Sequence, residues 1–159
     1  MTAVAGVPRR LGPEDPALPE VLDLLRRAFA GMDGRIDPPS SLHRLDLGAL
    51  RDSAGRAELW AIGTPVQACV TLTPKADALY IGKLAVEEAQ RGAGLARALV
   101  EVAAARARAL ALPALELQTR IELVENHATF ARLGFAVTAE TRHPGYARPT
   151  SLTMRRDLA

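Results

Sequence analysis

Residues 86–99, VEEAQRGAGLARAL, place Gly92 and Gly94 two apart and next to Arg91, at the mouth of the longest helical pattern in the chain. A glycine inside a helix costs about 1 kcal/mol relative to alanine. Either the chain turns sharply there, or something must approach its backbone. The apolar run ALYIGKLAV (78–86) precedes the glycines, and a helix-periodic run follows them. The first turn of a helix carries unpaired N–H groups and a partial positive charge, and both favour anions. Glycines would let a bulky phosphate reach those groups, and Arg91 adds a full charge beside them. A tight turn alone would also use glycine, but the strand before, the helix after and the arginine favour the phosphate. A dinucleotide fingerprint requires a third glycine where Arg97 stands, and the Walker loop's G-K-[ST] is absent. What remains is Arg91-x-x-Gly94-x-Ala96.

Composition narrows the setting. A chain of 159 residues suits one domain with an ordinary core, so a single domain over 1–159 is expected. The one cysteine, Cys69, excludes an internal disulfide framework. Its apolar neighbours Ala68 and Val70 suit a small core residue better than a nucleophile. The first residues lack an apolar signal core, and no run is long enough to span a membrane; a cytoplasmic protein is expected. Net charge is only +2, with Lys75 and Lys83 the sole lysines. The scattered arginines and few aromatics argue against nucleic-acid binding.

The elements that must position the glycines follow from periodicity. An edge strand is expected near Val7–Leu11, then a helix over 12–31 with Leu18, Val21, Leu22, Leu25 and Phe29 on one stripe. A second helix is predicted over 42–51, with His43 on its exposed side. Strands follow at 57–63, 65–74 and 78–86. Leu95, Leu99 and Val102, with Ala105 or Arg106, should face the core from a helix over 92–112. A strand at 113–119, a short helix at 123–133, a strand at 135–140 and a last strand at 149–158 complete the chain. In that last strand Leu152 and Met154 alternate with Ser151, Thr153 and Arg155. The order is β-α-α-β-β-β-α-β-α-β-β, a mixed α/β (α+β) domain, with a parallel crossover in its middle.

These residues resemble the GNAT superfamily of CoA-dependent N-acetyltransferases, whose pyrophosphate loop reads [QR]-x-x-G-x-[GA]. LYIGKLAV is similar to the family's central strand, and ENHATFARLGF (125–135) to its second conserved block. The resemblance covers nearly the whole chain and is weakest before residue 57. It implies a mixed, mostly antiparallel sheet with a splayed parallel strand pair, and acetyl-CoA as donor. It implies an amine as acceptor, either a small molecule or a peptide amino group, attacked directly in a ternary complex. It also implies that Leu84, Ala85 and Val86 hold pantetheine, with the Leu84 N–H polarising the acetyl carbonyl. The loop Arg91, Gly92, Ala93, Gly94, Leu95 and Ala96 would hold the pyrophosphate, with Asn126 and Phe130 beside the cofactor arm. No metal is implied, and a homodimer is left open.

One departure concerns the acid. Many members carry a tyrosine where Phe130 stands, four residues before Gly134. A phenyl ring cannot protonate a leaving thiolate. The thiolate then leaves unaided, which its low pKa permits, or Tyr146, Tyr80 or a water serves. Tyr80 reads as a packed strand residue, and Tyr146 stays open between loop aromatic and acid. For the base, His143 in a Pro/Gly loop is the candidate, whereas His127 reads as helix surface. Glu116 and Gln118 face either the acceptor or solvent. Asp33 and Asp37, in the loop MDGRIDPPSS (32–41), are candidates to attract a cationic acceptor. The rival function is a non-catalytic acyl-CoA-binding or interaction module that keeps the fold.

Overall fold

A computed structural model describes residues 6–158. The first helix, α1, covers Leu18–Ala30 and not the whole of 12–31. The Asp15 side chain accepts the Ala17 N–H at 2.9 Å, turning the chain before the helix. Pro19 sits in the first turn, where its missing N–H removes no helical bond. Leu24 joins Leu18, Val21, Leu22 and Leu25 in the core, while Phe29 is only half-buried. The second predicted helix divides. A 3₁₀ turn at Ser41–Arg44 is capped by Ser40, whose hydroxyl accepts the Leu42 N–H. Helix α2 then runs Leu47–Arg56 from the Asp46 cap, whose carboxylate accepts the Ala49 N–H at 2.8 Å. His43's side chain lies outside what the structure describes.

Seven strands form one sheet in the order β1-β2-β3-β4-β5-β7-β6. They are β1 Arg9–Leu11, β2 Glu58–Ile62, β3 Ala68–Pro74, β4 Leu79–Val86, β5 Ala114–Arg120, β6 Ala136–Thr141 and β7 Ser151–Asp157. Val7 stays outside β1 and is exposed. Every pairing is antiparallel except β4 with β5. Helix α3, Leu95–Ala109, connects those two strands, and α4, Val124–Arg132, connects β5 to β6. No helix of the described residues is long and apolar enough to cross a membrane.

Two cores sandwich the sheet. On one face Leu79, Ile81, Leu115, Leu117 and Met154 meet α3, with Phe130 and Leu133 of α4 alongside. On the other, Leu59, Ala61, Cys69 and Ala85 meet the apolar stripe of α1 and Leu50 of α2. Each fully buried leucine contributes about 1.5–3 kcal/mol. The α3 stripe is Leu95, Leu99, Val100, Ala103, Ala104 and Ala107. Ala105 is exposed, and Val102 and Arg106 are half-buried, so the expected stripe was rotated by about one residue. The β7 alternation also departs from expectation. Ser151, Thr153 and Met154 are buried and Leu152 is only half-buried, in a strand whose two edges are paired with β5 and β6.

Candidate active site

The site begins where β4 leaves its neighbours. It pairs with β5 only at Leu79↔Leu115 and Tyr80↔Glu116, after which the two strands part. On its other side, β4 shifts register against β3 between Cys69↔Ala85 and Thr71↔Gly82. Val70 thus stands opposite the extra residue of a β-bulge, and Lys83 takes a φ of 47°. Gly82 is required there. A Cβ on it would come within 2.9 Å of Thr71 Oγ1.

Cys69 pins the bulge. Its thiol donates to the Lys83 carbonyl at 3.6 Å and receives the Ala85 backbone N–H. Burial pushes the thiol up to about 12, above the effect of that N–H. A thiol raised in this way contributes stability fully present below its unfolded value near 9 and lost as pH climbs toward 12. Tyr80 is raised by burial in the same sense. Cys69→Ala should therefore remove one proton's contribution, at most about 1.4 kcal/mol per pH unit, from the alkaline decline measured by denaturant titration between pH 9 and 11. An unchanged decline would mean that the thiol ionises freely in the native state. Thiol reagents at pH 8 should label Cys69 only after unfolding.

Beyond β4 lies the glycine loop. Gly92 and Gly94 have φ of 86° and 85°, and nothing lies within 4 Å of a Cβ built on either. Gly94 caps α3 with no side-chain bond to the helix. The Arg91 and Ala93 N–H groups are turned inward, to the Glu88 and Gln90 carbonyls. These two amides are thus engaged within the turn itself. Among the described residues the N–H groups of Gly92, Gly94, Leu95 and Ala96 meet no protein acceptor, and residues 91–94 are exposed. An open loop with unpaired amides at a helix start fits a pyrophosphate.

The parted strands enclose a cavity of about 540 Å³. Ile81, Leu117, Thr119, Asn126 and Phe130 line it from the α3–α4 side. Among the described residues the Thr119 hydroxyl is buried without a partner, so a ligand in the gap would satisfy it. Phe130 packs edge-on against Phe135, with centroids 5.9 Å apart. Leu84, Gly82 and Tyr80 line the same cavity from β4, and Gln118 from β5. Tyr80, read as a packed core residue, is thus a site residue. Ala85 is buried in the α1-side core, and Ala85 and Val86 are not among the cavity's lining.

The loop between α1 and α2 is fastened by side chains from the second half of the chain. Asp37 accepts from the Tyr146 hydroxyl at 2.6 Å and from Arg148 at 3.2 Å. Its own N–H donates to Glu122. Arg120 donates to the Pro38 and Pro39 carbonyls at 2.6 and 3.2 Å, and Arg35 pairs with Glu125 at 2.6 Å. The hydrogen bond to Asp37 raises the Tyr146 pKa. Tyr146 and Asp37 therefore partner each other, and neither lines the cavity. Asp33 lines an adjoining hollow of about 250 Å³ beside Arg26. His143 does line the main cavity, with Nδ1 against the Thr150 hydroxyl. His127 donates to the Arg120 carbonyl at 2.9 Å. Glu116 pairs with Arg155 at 3.5 Å, away from the lining.

Sequence reasoning did not foresee Thr119, Lys83 or Arg120. Gly82, alone in an apolar strand, was the available sign of a bulge. Nothing local marked the other two.

A sheet split after a parallel pair, with open amides at the following helix start, suits an acyltransferase. The chain belongs to the GNAT acetyltransferase family, whose model matches residues 18–135. No curated protein matches the chain. Among solved structures, the fold is shared with the ribosomal-protein-S18-alanine N-acetyltransferase of Escherichia coli. That match has 18% identity over 94% of this chain and 92% of the other, with a TM-score of 0.73. An acetyltransferase from Streptococcus agalactiae matches at 17% identity over 95% and 97%, with a TM-score of 0.74. An IAA acetyltransferase from Bacillus cereus matches at 19% over 96% and 99%, with a TM-score of 0.67.

Proposed function

We propose that this acyltransferase moves an acetyl group from acetyl-CoA to a primary amine by direct attack. The observation that carries the reading is the run of unpartnered amides at Gly92, Gly94, Leu95 and Ala96, opening beside the parted strands. Acetyl-CoA, when bound, supplies a thioester to be attacked. The loop amides and the α3 dipole hold its pyrophosphate, and Thr119, Asn126 and Phe130 flank the arm. The Leu84 N–H, fixed on β4 next to the bulge, serves as donor to the developing oxyanion with little reorganisation. Holding amine and thioester together supplies much of the remaining acceleration. Saturable acetyl-CoA binding by calorimetry and amine-dependent thiol release test the reading. Absence of binding at millimolar concentration would refute it.

Phe130 leaves the thiolate to depart on its own acidity. Phe130→Tyr places a hydroxyl on a ring that already lines the cavity. Acetyl-CoA affinity should stay unchanged and turnover should rise at least about tenfold. Equal turnover would show that thiolate protonation does not limit the rate.

A further inference from the structure

The cavity's charge is one-sided. Arg44, Lys83, Arg120 and His143 line it, and no aspartate or glutamate does. The nearby carboxylates are held elsewhere. Asp37 is with Tyr146 and Arg148, Glu125 is with Arg35, and Glu122 takes the Asp37 N–H and faces Arg148 through one oxygen, its other being buried without a hydrogen-bond partner among the described residues. Asp33 lines the adjoining hollow and is itself engaged. Among the described residues, by contrast, Arg44 and Lys83 have no ion-pair partner. Both line this cavity, Lys83 half-buried and Arg44 exposed, and a half-buried cation without counter-charge favours an anion beside it.

His143 adds a further donor. Thr150 is fully buried, and its Oγ1 already accepts the His143 backbone N–H at 2.9 Å. Among the described residues its own proton has no acceptor other than His143 Nδ1. The neutral ring therefore carries its proton on Nε2, leaving an N–H donor as its free end. In this state His143 donates and cannot take a proton through Nε2. The phosphates of the donor do not account for these groups, because none of residues 91–96 lines this cavity.

We propose that the acceptor is an amine that also carries an anionic group, as an amino acid does. The inference rests on the acyl-transfer reading above. The anion sits among Arg44, Lys83 and the His143 Nε2–H, with Arg120 behind them. The same cations disfavour an ammonium in the cavity, which raises the fraction of neutral, nucleophilic amine. The amine nitrogen bonds to the acetyl carbon, the C–S bond breaks with its electron pair on sulfur, and the proton lost by nitrogen matches the one the thiolate gains through solvent.

The test compares three acceptor forms with one carbon skeleton: the amino acid, its amide and the amine lacking the carboxyl. An aminoalkyl phosphate forms a fourth arm. The anionic forms should exceed the neutral ones in kcat/KM by about 10- to 100-fold, and the better anion identifies its source. In Arg44→Gln that preference should fall toward one. Amides or plain amines used as well as the acids would overturn the proposal. So would an Arg44→Gln preference equal to that of the wild type. Calorimetry of acetyl-CoA separates the failures: no donor binding refutes acyl transfer itself, whereas donor binding without anion preference refutes only this inference. If no panel member turns over, binding to the CoA-loaded protein decides, with acid tighter than amide supporting the proposal and equal or absent binding overturning it.

Discussion

Gly94→Asp is expected to abolish measurable acetyl-CoA binding, lowering affinity by roughly 100-fold or more. Two effects combine at this position. The residue holds a φ of 85° at the start of α3, a region that costs a non-glycine residue about 1–2 kcal/mol. The new carboxylate also stands where unpaired amides await an anion, and it can cap them itself while repelling phosphate. Gly94→Ala separates the two. A Cβ there meets nothing within 4 Å, so alanine should lose about 1–2 kcal/mol of stability yet keep binding within a few-fold. Calorimetric titration of both variants, with far-UV circular dichroism as the folding control, makes the measurement. Wild-type affinity in a folded Gly94→Asp protein would move the donor's phosphates away from this loop.

The largest expected loss of stability lies elsewhere, in the anchor between α3 and the sheet. Glu58 of β2 is 6% exposed. It receives two guanidinium N–H groups of Arg106, at 2.8 and 2.9 Å, and the Trp60 indole N–H at 2.9 Å. Burial pushes the Glu58 carboxyl up, but the bonds from Arg106 and Trp60 outweigh it and hold it below its ordinary value of 4.5. Arg106→Met leaves the carboxylate buried without its cation and should cost about 3 kcal/mol, or about 6–12 °C in Tm. The sign of the pH dependence checks the cause. A depressed carboxyl contributes stability above its unfolded pKa and loses it as pH falls through the folded one. In the variant, acid instead neutralises the stranded charge. The gap between wild type and variant should therefore narrow as pH drops from 7 toward 4. The double variant Glu58→Leu/Arg106→Met should recover most of the loss. A gap independent of pH would assign the loss to packing of the arginine stem alone.

How much of this was written in the chain depends on the distance between partners. The glycine loop and β4 were legible because strand, turn and helix follow one another within 30 residues. The burial of Cys69 was legible from its neighbours, but its bond to Lys83 needed a bulge whose only trace was Gly82. The division of the second helix is marked by Ser40 and Asp46, two caps whose side chains each bind an N–H a few residues on. The partners of Asp37, Tyr146 and Arg148, lie more than 100 residues away, beyond what a local pattern records. Tyr80 looked like core because alternation assigns a face without saying that the neighbouring strand has departed. The place of β7 between β5 and β6 is a pairing choice that no local pattern records.

The fastening of the α1–α2 loop has a thermodynamic consequence. Tyr146, Arg148, Glu122 and Arg120 hold residues 37–39 in place through bonds within the chain itself. The configurational freedom of that lip is thus surrendered when the chain folds, not when a molecule arrives. A mouth already set in shape acts as a template. It selects among ligands by whether they fit, and little of their binding energy is diverted to organising the protein around them.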